Sequence, residues 1–202
     1  MDIRERLEWI RWIEKIPCKR TKGMSFGRDD NFFWAQLQKG LLYEKLVAKI
    51  LRGKGIKPVN VVGGDSDTFR DKIDNIGVYS RKARDIVIKG YNFEIKSRSI
   101  EFTTPDNWPK KLLPIHIDTV SSVDEKNFPV AGYIFISQKT GCLMGISYRS
   151  KEYWKKNKGR DNVRNLKDTF YSAPLRYFYG EAELLRKLQK MEPNKEIAKA
   201  IS

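Results

Sequence analysis

The stretch Asp85-Ile86-Val87-Ile88-Lys89-Gly90-Tyr91-Asn92-Phe93-Glu94-Ile95-Lys96 constrains the fold more than any other part of the chain. Two short runs rich in β-branched and aromatic residues, Asp85 to Ile88 and Tyr91 to Ser97, flank Lys89-Gly90, which reads as a two-residue hairpin turn. Such a turn sets the register: Ile88 faces Tyr91, Val87 faces Asn92, Ile86 faces Phe93 and Asp85 faces Glu94. Side chains alternate across a strand, so Ile86, Ile88, Tyr91, Phe93 and Ile95 share one face, and Asp85, Val87, Asn92, Glu94 and Lys96 share the other. The first is a core face.

The second face sets two carboxylates opposite each other with β-carbons about 5 Å apart, which is destabilising unless something positive lies between them. A divalent cation resolves the repulsion. Two carboxylates at this spacing suit Mg²⁺, which takes few protein oxygens and keeps water and substrate phosphate in its other positions. Lys96, on the same face as Glu94, reaches the same space, where it can orient or deprotonate a water and stabilise charge on a phosphate. The plainer reading is a solvated strand face carrying an ordinary mixture of charges.

The helix pattern upstream favours the site. Between about Phe33 and Arg52, closed by Gly53 and Gly55, the apolar periodicity predicts a long helix in which Leu37, Leu41, Val47, Ala48 and Leu51 surround Glu44. A carboxylate at the centre of an apolar stripe is costly to bury unless it is paired or liganded. A buried salt bridge to Arg84 or Arg98 would satisfy it, as would a site shared with Asp85 and Glu94, which is the reading preferred here.

Composition narrows the function classes. The chain has 202 residues, 40% of them hydrophobic and 12% aromatic, enough for a folded domain with an elaboration. The single histidine, His116, excludes sites that need two imidazoles. On its strand it reads as a hydrogen-bonded structural residue sharing a face with Asp118. Cys18 and Cys142 are too few for a thiolate zinc site or a disulfide framework, and read as reduced thiols of a cytoplasmic protein. No phosphate-binding glycine loop is present, so no nucleotide cofactor is expected. No apolar run is long enough for a membrane span, and the acid-containing amphipathic N-terminal helix, Asp2 to Ile16, lacks the pattern of a signal peptide. Lys and Arg number 40 against 25 Asp and Glu, a net charge of +15 that favours a polyanionic partner, most plausibly nucleic acid.

The remaining pattern gives a polar connection from Cys18 to Asn31, a short strand Val59 to Val62, and an irregular segment Gly63 to Arg84. Asp65, Asp67, Asp71 and Asp74 in that segment lack the spacing of a calcium loop and read as loop acids. Pro105, Pro109 and Pro114 precede a strand Ile115 to Val120. A second hairpin spans Tyr133 to Ser147, and a final helix runs from Glu181 to Met191. The expected organisation is one mixed α/β domain: an N-terminal helix and connection over residues 1–32, a core over 33–147, and a basic extension over 148–202.

With Leu41-x-x-Glu44 in a helix, Arg84-Asp85 opening a strand and Glu94-Ile95-Lys96-Ser97 on the next, the chain resembles the PD-(D/E)xK nuclease superfamily, which includes restriction endonucleases, Holliday-junction resolvases and phage exonucleases. Arg84 stands where that motif has its proline. The resemblance covers about Phe33 to Ser147. It implies a restriction-endonuclease-like core of helix, three strands, helix and strand, a central mixed sheet with helical additions at both termini, and Mg²⁺- or Mn²⁺-dependent hydrolysis of DNA phosphodiesters. It assigns Asp85, Glu94 and the Ile95 carbonyl to the metal, Lys96 to catalysis, and Glu44 to the acidic position of the core helix. Prolines crowd the region where the helix after Lys96 is expected, so a long loop or short helices would stand there. Small nucleases of this kind often work as dimers, so a homodimer is a further expectation.

Between Arg149 and Lys167 the eight bases Arg149, Lys151, Lys155, Lys156, Lys158, Arg160, Arg164 and Lys167, against Glu152 and Asp161, are interleaved with Tyr148, Tyr153 and Trp154. Basic side chains track phosphates and aromatics stack on exposed bases, so this is the expected DNA-contact segment, against the plainer reading of a solvated basic face. Arg81, Lys82, Arg84 and Arg98 flank the carboxylates and are expected to hold the cleaved strand. Two functions from different classes follow: a metal-dependent DNA nuclease, or a non-catalytic nucleic-acid-binding protein with a nuclease-like fold. A basic accessory protein of a nucleoprotein assembly is a weaker third. Opposed carboxylates beside a lysine favour the first, because a binding-only protein has no need of them.

Overall fold

A computed structural model describes residues 1–17, 30–62, 85–126, 128–161 and 166–194. Helix α1, Ile3–Glu14, starts at a capping box: the Asp2 carboxylate accepts from the Glu5 amide and the Glu5 carboxylate from the Asp2 amide. Helix α2, Asp30–Gly53, begins a few residues before the apolar pattern predicts and ends where Gly55 takes a positive φ of 78°.

Strands β1 (Val59–Val61), β2 (Ile86–Ile88) and β3 (Tyr91–Arg98) form an antiparallel unit. The β2–β3 register is the one the turn demands: Ile88 opposite Tyr91, Val87 opposite Asn92, Ile86 opposite Phe93. Lys89 and Gly90 both adopt positive φ, 50° and 83°, as a primed hairpin turn requires. The chain then leaves the sheet through 3-10 turns at Pro105–Asn107 and Lys110–Leu112, strand β4 (Ile115–Thr119) and the short helix α3 (Val120–Asp124). It returns as β5 (Val130–Ser137), parallel to β3. No long helix forms in this crossover, since the prolines interrupt the backbone hydrogen bonding it would need. Strand β6 (Leu143–Ser147) pairs antiparallel with β5.

A 3-10 turn at Tyr148–Tyr153 leads to β7 (Lys155–Asp161) and β8 (Leu166–Ala173), and then come β9 (Phe178–Gly180) and helix α4 (Glu181–Lys190). The result is a mixed six-stranded sheet, β1-β2-β3-β5-β6-β9, and an antiparallel three-stranded sheet, β4-β8-β7. The 148–202 segment therefore supplies a strand to the main sheet and two strands to the second. Strands β7 and β8 were not legible as strands: β7, rich in Lys with Asn and Gly, has no apolar alternation, and the only apolar residue of β8 before Phe170 is Leu166.

Both faces of the main sheet are covered. On one, Ile86, Ile88, Phe93, Ile134 and Ile136 pack with Ile10 and Ile13 of α1, Leu46, Val47, Ile50 and Leu51 of α2, and Leu184 and Leu188 of α4. On the other, Tyr133, Phe135 and Met144 meet Ile115, Ile117, Trp154 and Tyr171 of the second sheet and its flank. The fold is mixed α/β, a mixed sheet flanked by helices on one side and by a second sheet on the other. No helix among the described residues is long and apolar enough to cross a membrane.

Candidate functional site

Asp85 immediately precedes β2, and its Oδ2 accepts the Ile95 amide at 2.7 Å. The side chain thereby takes over where the ladder to β2 ends, and the Ile95 carbonyl shares that edge of β3 because the two backbone groups of one strand residue point the same way. Glu94 is buried on the opposite face from the α2 core, next to Tyr133 on β5. Lys126 Nζ stands 2.8 Å from Glu94 Oε1, an ion pair without hydrogen-bond alignment, and Lys96 Nζ stands 3.9 Å from Oε2. Lys96 is held more closely by Asp118, at 2.7 Å. Asp118 also accepts from the Thr119 amide and the Ser122 hydroxyl, and it follows an irregularity in the β4–β8 register between His116 and Asp118.

The charges are tightly coupled. Burial, and then the negative charge of Glu94, push the Asp85 carboxyl up to about 7, opposed by Lys96, the Ile95 amide and Lys126. Burial disfavours the Lys96 ammonium, but Asp118, Glu94 and Asp85 outweigh it and keep Lys96 protonated well above its ordinary range. Burial likewise opposes the charge on Asp118, and Lys96 holds its carboxyl below the usual carboxylate value. Three buried polar atoms of this layer have no hydrogen-bond partner among the described residues: Asn92 Oδ1, Glu94 Oε1 and the Tyr133 hydroxyl. Of these, Glu94 Oε1 is met by the Lys126 ammonium as an ion pair, and a water could satisfy the other two.

These residues fit a hard divalent cation. Two carboxylates and a carbonyl are all oxygen donors, and a cation would favour the charged form of Asp85 that burial and then Glu94 disfavour. Among the described residues no three His, Cys, Asp or Glu side chains are grouped to hold a metal. Glu44 is nearly buried on α2, which packs against the face carrying Ile86 and Phe93. Of its two candidate arginine partners, Arg84 lies outside the described residues and Arg98 points to the other layer, donating to the carbonyls of His116 and Ile117. Arg98 thus clasps β3 to β4 and does not project toward a ligand.

The expected contact segment divides. Arg81, Lys82, Arg84 and Arg164 lie outside the described residues, as do Cys18 and the four acids Asp65, Asp67, Asp71 and Asp74. Trp154 is only 7% exposed, packs edge-on against Tyr133 and Tyr171, and donates to the Ser150 hydroxyl, so it is a core residue and offers no stacking face. Lys151 is held by Asp124 at 2.8 Å and by the Tyr148 hydroxyl. Tyr153 is exposed and stacked on Tyr177. Arg149, Lys155, Lys156, Lys158 and Arg160 are exposed. His116 bonds Ser172 through Nδ1 at 2.7 Å, the structural role its isolation implies.

Asp118 and Lys126 are the residues that sequence reasoning missed at this site. Asp118 carried a signal only as a strand residue sharing a face with His116, and Lys126 carried none. Comparison with protein-family models, with curated proteins and with solved structures found no match to this chain.

Proposed function

We propose that the chain is a metal-dependent DNA nuclease of the PD-(D/E)xK type. The observation that carries this reading is the Asp85 carboxylate, bonded to the Ile95 amide, close to buried Glu94 and to Lys96, with the Asp85 carboxyl pushed up to about 7 first by burial and then by the charge of Glu94. The order of elements supports it: α2, then β1, β2 and β3, then a crossover to a parallel β5, follows the helix, three strands, crossover and strand of that superfamily, with the crossover helix reduced to α3.

Asp85, Glu94 and the Ile95 carbonyl would hold Mg²⁺ or Mn²⁺, which when bound supplies Lewis acidity toward a phosphate oxygen and a more acidic water. Lys96, kept protonated, acts as a charged donor that orients the attacking water and stabilises the negative charge that builds on the phosphate. Asp118 positions Lys96. Lys126 balances the charge of Glu94.

A non-catalytic DNA-binding role has one observation in its favour: Lys126 and Lys96 already flank Glu94, as in a purely structural ion-pair network. Incubation with supercoiled plasmid, linear duplex and single strands separates the two. The nuclease reading expects cutting with Mg²⁺ or Mn²⁺ and none in EDTA. Intact substrates in both metals would overturn it.

A further inference from the structure

The second sheet has an overhang. Strand β4 ends at Thr119, opposite Phe170, while β8 runs on paired with β7 alone through Lys158↔Thr169, Gly159↔Asp168 and Arg160↔Lys167. Paired residues share a face, so Lys158, Thr169, Arg160 and Lys167 lie on one side of this two-stranded ribbon, and Gly159 and Asp168 on the other. Lys156, opposite Tyr171, extends the cationic side back into the sheet, and Tyr171 lies opposite Asp118. The cationic side is therefore continuous with the side on which Asp118 holds Lys96.

Lys156, Lys158, Arg160 and Lys167 are all exposed. Arg160 and Lys167 are directly opposed, so two cations stand at one step of the ladder. From Lys156 to Arg160 the strand covers about 13 Å, a length over which a DNA duplex presents about eight phosphates. The major groove admits a two-stranded β-ribbon, whereas single strands are gripped by aromatic platforms. On the cationic side Tyr171 is buried, and the other described ribbon residues are cations and a threonine.

We propose that the β7–β8 ribbon seats its cationic side in the major groove of B-form duplex DNA and leads the backbone toward Lys96. The destination rests on the nuclease reading; the duplex binding does not. The test is fluorescence anisotropy in EDTA over a NaCl series, with DNA duplex, RNA duplex and single-stranded DNA of equal length. The proteins are wild type, Lys158→Ser/Lys167→Ser, and a control of equal charge, Lys110→Ser/Lys111→Ser, on an exposed turn remote in sequence. Each lost phosphate contact lowers the slope of log K against log salt by about 0.9 on duplex DNA. The ribbon variant should therefore lose about 1.8 from that slope, and the control should lose none. On the RNA duplex, whose major groove is too deep and narrow for the ribbon, the ribbon variant's loss should be smaller. Equal losses in ribbon variant and control, equal losses on DNA and RNA duplexes, or a larger loss on single strands would overturn the proposal. Cutting of plasmid by the wild type with Mg²⁺ is scored separately. Its absence removes the nuclease and leaves the ribbon result standing, while cutting with an unchanged slope removes the ribbon and leaves the nuclease.

Discussion

Asp85 ties the chemistry to the fold at the scale of a single residue. Its carboxyl is pushed up to about 7, above its value in an unfolded chain. Between pH ~4 and ~7 the native protein retains a proton that the unfolded chain has released, so the stability associated with Asp85 falls as pH rises through that window. Asp85→Asn removes the titration. Thermal melts in EDTA should show the variant melting higher than wild type at pH 8 and close to it at pH 4.5. Added Mg²⁺ at pH 8 should raise the wild-type Tm and leave the variant's nearly unchanged. A variant that melts lower at pH 8 would show that Asp85 is a satisfied structural acid. Asp85, Glu94 and Lys96 were legible from sequence because a two-residue turn leaves only one register. Asp118 and Lys126 were not, since Asp118 meets Lys96 only once the second sheet packs over the first, after a shift in the β4–β8 register that no periodicity reveals.

Among the elements, α1 is joined to the far end of the chain by one buried pair. Arg6, 2% exposed, donates to both Glu181 carboxylate oxygens and to the Gly141 carbonyl, and Glu181 also accepts the Leu143 amide. Arg6→Ala would strand the carboxylate and cost about 3–5 kcal/mol in urea unfolding, while Arg6→Ala/Glu181→Gln should recover part of the loss. If the single variant unfolds at the wild-type urea midpoint, the clasp contributes nothing. Packing makes a second demand. A Cβ on Gly132 would stand 2.5 Å from the Ile146 carbonyl oxygen, which is backbone, whereas one on Gly145 would stand 2.7 Å from the end of the Leu184 side chain, which can rotate away. Gly132→Ala should be the more destabilising of the two by urea denaturation. Helices α1, α2 and α4 and the hairpin were legible because amphipathic or alternating patterns encode them. Strands β7 and β8 are not encoded in that way, because their partners are each other and β4, and much of β7 faces water.

Across the whole molecule the net charge of +15 is unevenly distributed, and under the proposed function the two parts would do different work. Cations line the exposed ribbon, while Glu94 is buried and Asp118 half-buried, with Lys96 and Lys126 paired to them. Binding and cutting should therefore separate. In EDTA, Asp85→Asn and Lys96→Ala should bind duplex DNA with affinity close to wild type, measured by anisotropy, because most of the phosphate contacts would come from the exposed ribbon cations and not from these two side chains. A large loss of affinity in both would place the DNA contacts at the carboxylate pair itself. The most direct test of the account is the rate at which supercoiled plasmid is nicked or linearised in Mg²⁺ by wild type, Asp85→Asn and Lys96→Ala. Metal-dependent cutting by the wild type and a loss of at least ~100-fold in each variant are expected. Cutting by both variants at the wild-type rate, or its persistence in EDTA, would contradict the account.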